Sequence, residues 1–203
     1  MKDKVREARL LKAAQLIRKN NHFTVLDLAS DGGVLKDYLP EVIGYYEANY
    51  PEYNLEKEMT YPTRMQCVCA LEVIEHLRNP RTLMKTANNC LIPGGTFLLS
   101  TQNSAYIKNR ISLLLGKTPI CFFGPSYLEV LYDPDYHKNS RSKKKDLELS
   151  LHVRCYTYSE LERMLNLEGF ICKRHDVSAN PLILALPPDF RANLFIEATK
   201  VSG

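Results

Sequence analysis

Two unbroken apolar stretches stand near the middle of the chain, joined by an amphipathic one. Residues 66–71 (QCVCAL) and 96–101 (TFLLST) have the continuous hydrophobic character of strands that are buried on both faces. Between them Asn79 and Pro80 are typical of a helix start, and the apolar residues that follow recur at helical spacing up to a Pro-Gly-Gly turn. The pattern predicts a β-α-β unit, which belongs in a parallel sheet with helices on its faces.

The same periodicities continue along the rest of the chain. They predict helices at 4–18, 34–39, 105–115 and 158–167 and strands at 23–28, 41–46, 170–177 and 193–201. Thr157 and Glu160 have the spacing of a capping box. The interval from 47 to 66 is too short for a full helix and a full strand, so we expect a sheet shortened there, with 53–56 at most a truncated strand. Alternating elements predict one α/β domain over 1–203, with 104–150 as a lid or substrate-side insertion.

Polar side chains gather where two of the predicted strands end. Asp27 lies near the end of the strand at 23–28, ahead of a tight turn with two glycines, and Glu72 directly follows the strand at 66–71. Ligands of open α/β sheets bind beyond the carboxyl ends of the strands, and a glycine turn before a helix presents backbone N–H groups to them. These positions are therefore the candidate binding site.

Three strings in this order, VLDLASDGG, ALEVIEHL and LIPGGTFLLSTQN, resemble those of class I S-adenosylmethionine-dependent methyltransferases. The likeness continues through HVRCYTYSELERMLNLEGF and covers nearly the whole chain. Within the superfamily the chain is similar to methionine-biosynthesis-associated and ubiquinone-type small-molecule methyltransferases. The resemblance implies a Rossmann-like fold, with a mostly parallel central sheet and an antiparallel last strand.

The resemblance also implies a site for S-adenosylmethionine. Its methionine part would be held by Asp27 and the turn of Ala29, Ser30, Asp31 and Gly33, its ribose hydroxyls by Glu47, its adenine by Asn54 and Leu55, and its sulfonium would lie over Leu71 and Glu72. The chemistry of the residues agrees, because a carboxylate accepts both hydroxyls of a cis-diol and a glycine turn allows close backbone approach.

Four positions depart from the family's pattern. The first motif runs D-x-G-x-G-x-G, and its first two glycines are replaced by Ala29 and Asp31. The acid that normally ends strand two is replaced by Tyr46, with Glu47 one position later, and Gln66 replaces an aspartate that commonly opens strand four. A fold does not guarantee its chemistry, so a non-catalytic protein of this fold, acting as a partner or regulatory protein, is the alternative hypothesis.

Glu72, Glu75 and His76 form the string E-x-x-E-H. In ubiquinone-type O-methyltransferases and small-RNA 2′-O-methyltransferases the same string supplies metal ligands, and His152 stands where the small-RNA enzymes add a later histidine. The resemblance thus leads to the hypothesis of a site for a divalent metal such as magnesium, with Glu72, Glu75, His76 and His152 as its ligands. Other members with this string bind no metal, and His76 is then the candidate catalytic base, with Glu72 as a second candidate catalytic residue.

Composition narrows the function further. No apolar run reaches the roughly 20 residues of a membrane span, and the amphipathic first 19 residues lack the apolar centre of a signal peptide, so we expect a cytoplasmic protein. The net charge of +4 comes without a basic face interleaved with aromatics, which argues against nucleic acid as a partner. The sequence therefore predicts methyl transfer to a hydroxyl, or an amine, of a small-molecule acceptor.

Overall fold

A six-stranded sheet forms the centre of the fold. The computed structural model describes residues 2–30, 32–119, 121, 152–177 and 185–201. The strands are β1 (Thr24–Leu28), β2 (Gly44–Ala48), β3 (Met65–Leu71), β4 (Leu91–Gln102), β5 (Phe170–Arg174) and β6 (Asn193–Lys200). They lie in the order β2-β1-β3-β4-β6-β5; β1 to β4 pair in parallel, and β6 runs antiparallel to both of its neighbours. The predicted mostly parallel sheet with an antiparallel last strand is confirmed.

Helices cover both faces of this sheet. The α-helices in the described ranges are α1 (Lys2–Lys19), α2 (Pro80–Cys90), α3 (Ile107–Leu114) and α4 (Tyr158–Leu167). The apolar side of α1 packs on one face, where Ala13 and Ile17 are fully buried, while α2 and α4 bury Leu83 and Leu161 against the other. Among the residues that the structure describes, no helix is long and apolar enough to cross a bilayer.

The start of α4 is set locally. Thr157 Oγ1 accepts a hydrogen bond from the Glu160 backbone N–H, and the Glu160 carboxylate accepts one from the Thr157 N–H. This reciprocal pair is the predicted capping box, which satisfies two of the backbone donors that a helix start leaves unpaired.

The second strand lies later than the sequence pattern predicts. It was expected at 41–46 but spans Gly44–Ala48, because residues 41–43 form a turn and the ladder begins where the Gly44 N–H donates to Phe23 O. Glu47 therefore lies inside β2, in register with Asp27, rather than after the strand. As an edge strand with two exposed side chains, β2 lacks the continuous apolar signal of β1 and β3.

Other boundaries differ more locally. Residues 53–56 form a turn and no strand, and the predicted helix at 34–39 is a short 3₁₀ helix, Val34–Tyr38. The predicted turn at 93–95 lies inside β4 as an irregularity, since the partners of β3 jump from Leu91 to Thr96. Helix α3 is shorter than the predicted 105–115, and Leu114 on its apolar stripe is 85% exposed. Most of the predicted lid lies outside the described residues.

Candidate functional site

A pocket of about 230 Å³ opens at the carboxyl ends of β1 and β3. Asp27, Ala29 and Ser30 line it from the first strand and its turn, and Leu71 and Glu72 line it from the end of β3. Five of the residues predicted to hold a cofactor are thus brought around one cavity. Asp31, also predicted there, lies outside the described residues.

Asp27 lines the pocket from near the end of β1. The Tyr45 hydroxyl, from β2, donates a hydrogen bond of 2.6 Å to Asp27 Oδ2. Burial raises the pKa of Asp27 to about 6, although that hydrogen bond favours the charged form. The site therefore contains a carboxyl group that the neighbouring strand holds in place. This group is mostly ionised at neutral pH, but its charged form is less favourable than that of an exposed aspartate.

Both strand ends that flank the pocket have a backbone conformation that favours glycine. Ala29 has φ of 56° and Glu72 has φ of 59°. Left-handed backbone at a residue with a side chain is uncommon and recurs at ligand sites, where surrounding structure holds it. The Ala29 N–H donates to Ala48 O and the Glu72 N–H donates to Ser100 O, so neighbouring strands hold both turns.

Glu47 lies against the turn that follows β1. Ser30 Oγ donates to Glu47 Oε2 at 2.5 Å, and Asn49 Nδ2 donates to the same oxygen at 3.1 Å. The carboxylate also faces Gly33, where a Cβ would stand 2.7 Å from Oε1. The predicted ribose ligand is thus exposed beside the glycine turn but outside the pocket lining.

The predicted adenine residues have other contacts. Asn54 Oδ1 accepts from the Glu56 N–H, which closes a local turn, and the Leu55 side chain is buried in the core. The Leu55 carbonyl accepts a hydrogen bond from Thr82 Oγ1 of α2. Neither residue lines the pocket, so their role in adenine binding stays a prediction.

Glu72 pairs with a residue from the first helix. Arg9 Nη1 lies 2.8 Å from Glu72 Oε2, and Ser100 Oγ lies 3.3 Å from Oε1. Burial and the nearby charge of Glu75 raise the pKa of Glu72 to about 7, and Arg9 offsets this only in part.

Glu75 is buried at the centre of a second group of polar residues. Thr101 Oγ1 donates to Glu75 Oε2 at 2.8 Å, whereas Glu75 Oε1 has no hydrogen-bond partner. Burial raises the pKa of Glu75 to about 6. The Glu75 carbonyl accepts from the N–H groups of Val153 and Arg154, and this link holds the segment before α4 against the end of β3.

That link brings two histidines together. The rings of His76 and His152 lie 5.1 Å apart, and one ligand atom each from Glu75, His76 and His152 lies within 4.8 Å of the others. His152 Nδ1 lies 2.9 Å from the Cys121 carbonyl oxygen, which can only accept, so Nε2 carries the lone pair whenever the ring is neutral. Glu72, the fourth predicted metal ligand, is not part of this group.

Comparison with known proteins decides the family. The sequence matches the methyltransferase-domain family over residues 4–172. The chain belongs to the class I S-adenosylmethionine-dependent methyltransferases. The mitochondrial ubiquinone biosynthesis O-methyltransferase of Dictyostelium discoideum is 30% identical to the chain over 132 residues. That alignment covers 64% of the chain but only 37% of the relative, so the chain spans well under half of that protein's length.

Solved structures agree on the fold. The 1,6-didemethyltoxoflavin-N1-methyltransferase of Burkholderia thailandensis, solved with 1,6-didemethyltoxoflavin and S-adenosylhomocysteine bound, superposes with a TM-score of 0.59 at 15% identity, covering 98% of this chain and 79% of that one. A candidate O-methyltransferase from Nostoc punctiforme gives a TM-score of 0.54 at 14% identity, over 94% of this chain and 55% of that one. The predicted class I methyltransferase fold is confirmed.

Three residues at this site were missed by sequence reasoning. Arg6 and Arg9 line the pocket from α1, and Tyr45 holds Asp27. The two arginines share a helix face with buried Leu10 and Ala13, at i, i+3, i+4 and i+7. Two cations that continue an apolar face are the signal that could have found them.

Proposed function

We propose that this methyltransferase binds S-adenosylmethionine at the pocket between β1 and β3 and methylates a hydroxyl or amine of a small molecule. The observation that carries the proposal is the pocket itself, which lies at two parallel strand ends and is lined by Asp27 and Glu72 in a chain of this family. The relative's name, an O-methyltransferase of ubiquinone biosynthesis, and the small-molecule N-methyltransferase structure support this acceptor class. The expected cytoplasmic location and single-domain organisation belong to the same proposal.

The residues present fit the cofactor's polar groups. Asp27 and Glu72 would accept hydrogen bonds from an ammonium group, and the exposed Glu47 carboxylate has the geometry for two hydroxyls of a ribose. Gly33 leaves room beside Glu47 that a side chain would fill. When bound, the cofactor supplies an electrophilic methyl group on a sulfonium.

His76 is the proposed catalytic base. A methyl acceptor must lose a proton as its oxygen or nitrogen is alkylated, and imidazole is the side chain most often used for this at neutral pH. The ring of His76 packs edge-on against His152 and lies next to buried Glu75. Glu72, which lines the pocket, precedes Glu75 by only three residues in the chain. These residues would orient His76 and hold the transferred proton.

Calorimetric titration with S-adenosylmethionine and S-adenosylhomocysteine tests the proposal first, followed by a screen of hydroxyl- and amine-bearing acceptors. We expect micromolar binding, a methylated product, and a kcat at least 100-fold lower for His76→Asn with cofactor binding unchanged. No heat of binding with folded protein at high concentration would sink the enzyme and favour the non-catalytic partner. Binding without product from any acceptor would remove the acceptor assignment alone.

A divalent cation at Glu75, His76 and His152 is a second proposal, and it rests on geometry alone. One carboxylate and two imidazoles suit a transition metal better than magnesium, which prefers oxygen ligands, and the unpartnered Glu75 Oε1 supplies a free ligand atom. A bound cation would supply a Lewis acid for the acceptor hydroxyl.

Titration of the metal-free protein with Mn²⁺ and Mg²⁺ tests this second proposal. We expect saturable binding to the wild-type protein and at least 10-fold weaker binding to His152→Gln. His22→Gln is the control, because His22 lies outside the cluster and hydrogen-bonds Thr96. Equal binding by both variants, or none by the wild type, would leave His76 as a base without a metal.

A further inference from the structure

Two cysteines meet beside the histidines of the site, and neither the family assignment nor the proposed reaction uses them. Cys121 follows α3 and Cys155 precedes α4, 34 positions later, yet Cys155 Sγ donates a hydrogen bond of 2.7 Å to the Cys121 carbonyl. The two thiols also interact directly. Both cysteines are free, so the fold brings the two halves of a disulfide together without joining them.

The sulfur of Cys121 is held in place from α3. Asn109 is a buried polar residue, and its Nδ2 donates to Cys121 Sγ at 3.1 Å and to the Asn103 carbonyl at 2.9 Å. Because a buried amide must find partners for its donors, this contact fixes the position of the sulfur. Cys155 is half-buried whereas Cys121 is buried, so a small oxidant reaches the pair from the Cys155 side.

A second thiol pair in the chain serves as a comparison. Cys67 and Cys69 lie in β3 with their sulfurs 3.9 Å apart, but both residues are fully buried. The packed sheet and its covering helices exclude an oxidant from them, and buried structural cysteines are inert. The pair of Cys121 and Cys155 combines contact with access, so it is the pair that an oxidant would join.

The contact between the two cysteines extends to the proposed catalytic base. The Cys121 carbonyl, which accepts from Cys155, lies 2.9 Å from His152 Nδ1, and the rings of His152 and His76 lie 5.1 Å apart. A disulfide holds its two sulfurs about 2 Å apart, much closer than two thiols in contact. Closing the bond therefore moves the backbone of Cys121, of Cys155 or of both, and His152 moves with its acceptor.

We propose that Cys121 and Cys155 form a reversible disulfide, which displaces His152 and thereby slows methyl transfer. The oxidant is hydrogen peroxide: one thiolate attacks a peroxide oxygen and expels hydroxide, and the second thiolate attacks the sulfenic sulfur and expels hydroxide again. The sulfurs lose two electrons to the peroxide, and the two thiol protons convert both hydroxides to water. A dithiol reductant restores the thiols by exchange. In the proposed cytoplasmic location such a disulfide is transient, as a sensor requires.

A pure packing role for the two thiols makes a different prediction. Thiols that only fill space are oxidised one at a time to sulfinic acids, which dithiothreitol does not reverse. A disulfide joins two peptides and is reversed by dithiothreitol. The effect on methyl transfer rests on the proposed function, whereas bond formation does not, so the two are measured separately.

The first measurement treats the full chain with hydrogen peroxide and maps its peptides without reductant, before and after dithiothreitol. We expect the peptides of Cys121 and Cys155 to be joined, and to separate on reduction. The joined form should be absent from Cys155→Ser and from Cys121→Ser. Cys172→Ser is the matched control, because Cys172 of β5 is also half-buried but lies outside the pair, and it should keep the joined form.

The second measurement is methyl transfer by the same samples, with the acceptor that the screen identifies. Peroxide should lower the kcat of the wild type and of Cys172→Ser by about 10-fold or more, because displacing a reacting group by about 1 Å can cost more than that. Dithiothreitol should restore kcat to within about 2-fold, and peroxide should change the kcat of Cys155→Ser by less than about 2-fold. Binding of S-adenosylhomocysteine should stay unchanged, since the pair lies outside the lining of the pocket.

The third measurement needs no activity. The imidazole NMR signals of His152 and His76 should shift on oxidation and return on reduction. The signals of His22, which hydrogen-bonds Thr96 outside the cluster, should stay in place.

The remaining outcomes are decisive. No joined peptide in folded, peroxide-treated protein overturns the proposal, and so does a joined peptide with unchanged kcat and unchanged His152 signals. In a wild type without methyl transfer the proposed function fails, and the peptide map and the His152 signals alone decide whether the disulfide forms and moves His152. If one of the two cysteine variants does not fold, the other one decides.

Discussion

Gly33 and Glu47 lie so close that a methyl group on Gly33 would stand 2.7 Å from Glu47 Oε1. Gly33 also has φ of 68°, a conformation that side chains disfavour. The residue therefore contributes in two ways, through its backbone conformation and through the space it leaves for the carboxylate. Gly32 has the same φ of 68° but nothing within 4 Å of its added Cβ, so the two effects can be separated.

Gly33→Ala and Gly32→Ala should both lower stability through backbone strain but should differ in their effects on binding. Each should lower the free energy of unfolding by about 1 kcal/mol through backbone strain. Gly33→Ala should also displace Glu47 and weaken S-adenosylhomocysteine binding at least 10-fold, whereas Gly32→Ala should change it less than about 3-fold. Urea denaturation and calorimetry measure the two quantities, and equal binding by both variants would contradict the role of Glu47.

Asp27 should make stability depend on pH in a defined window. Its pKa is raised to about 6 in the folded protein, above the value of about 3.9 for an unfolded aspartate, so the folded state binds the proton more tightly. Stability should therefore fall as the pH rises from about 4 to about 6 and then level off, by about 2 to 3 kcal/mol for this residue. Asp27→Asn lacks this titrating group, so its free energy of unfolding should rise relative to that of the wild type across that pH range.

Urea denaturation from pH 4 to pH 7.5 checks the Asp27 prediction. The measured quantity is the free energy of unfolding of Asp27→Asn minus that of the wild type, in which the contributions of other acids cancel. This difference should rise with pH. The exposed Asp37 is the control position, and Asp37→Asn should show a constant difference. A difference that does not change with pH for Asp27→Asn would show that its burial has no such effect.

The capping box of α4 should be worth a measurable amount. Thr157→Ala removes the side-chain acceptor and should lower the free energy of unfolding by about 1 kcal/mol. Ser159→Ala, in the first turn of the same helix and exposed, should change it by less than about 0.5 kcal/mol. Thermal or urea denaturation distinguishes the two, and equal effects would mean that the cap does not stabilise the helix.

Truncating a leucine on the apolar face of α2 should lower the stability of the protein far more than truncating one on the apolar face of α3. Leu83 of α2 is fully buried, so Leu83→Ala should cost about 2 to 5 kcal/mol through lost burial and the cavity left behind. Leu114 of α3 is 85% exposed, so Leu114→Ala should cost less than about 0.5 kcal/mol. A large loss in Leu114→Ala, measured by urea denaturation, would show that this face is covered in solution.

Sequence reasoning succeeded where the signal was local. The strand β3 and the helix α2 were predicted from an uninterrupted apolar run and from helical spacing after Asn79-Pro80, and the α4 cap from the Thr157–Glu160 interval. It failed at β2, where an edge strand exposes part of both faces and carries no strong period. The carboxyl-end residues Asp27 and Glu72 were found because strand ends in a parallel sheet share one edge.

The sequence by itself determined the β-α-β core, the family motifs and the polar residues at the strand ends, because each depends on neighbours within a few positions. Only the tertiary structure placed Arg9 beside Glu72 and showed the contact between His152 and His76, which the sequence suggested through resemblance alone. Those pairs join residues that are 63 and 76 positions apart, and no periodicity encodes such contacts. They form because α1 packs across the sheet and because the Glu75 carbonyl binds the segment before α4, and both events require the folded core.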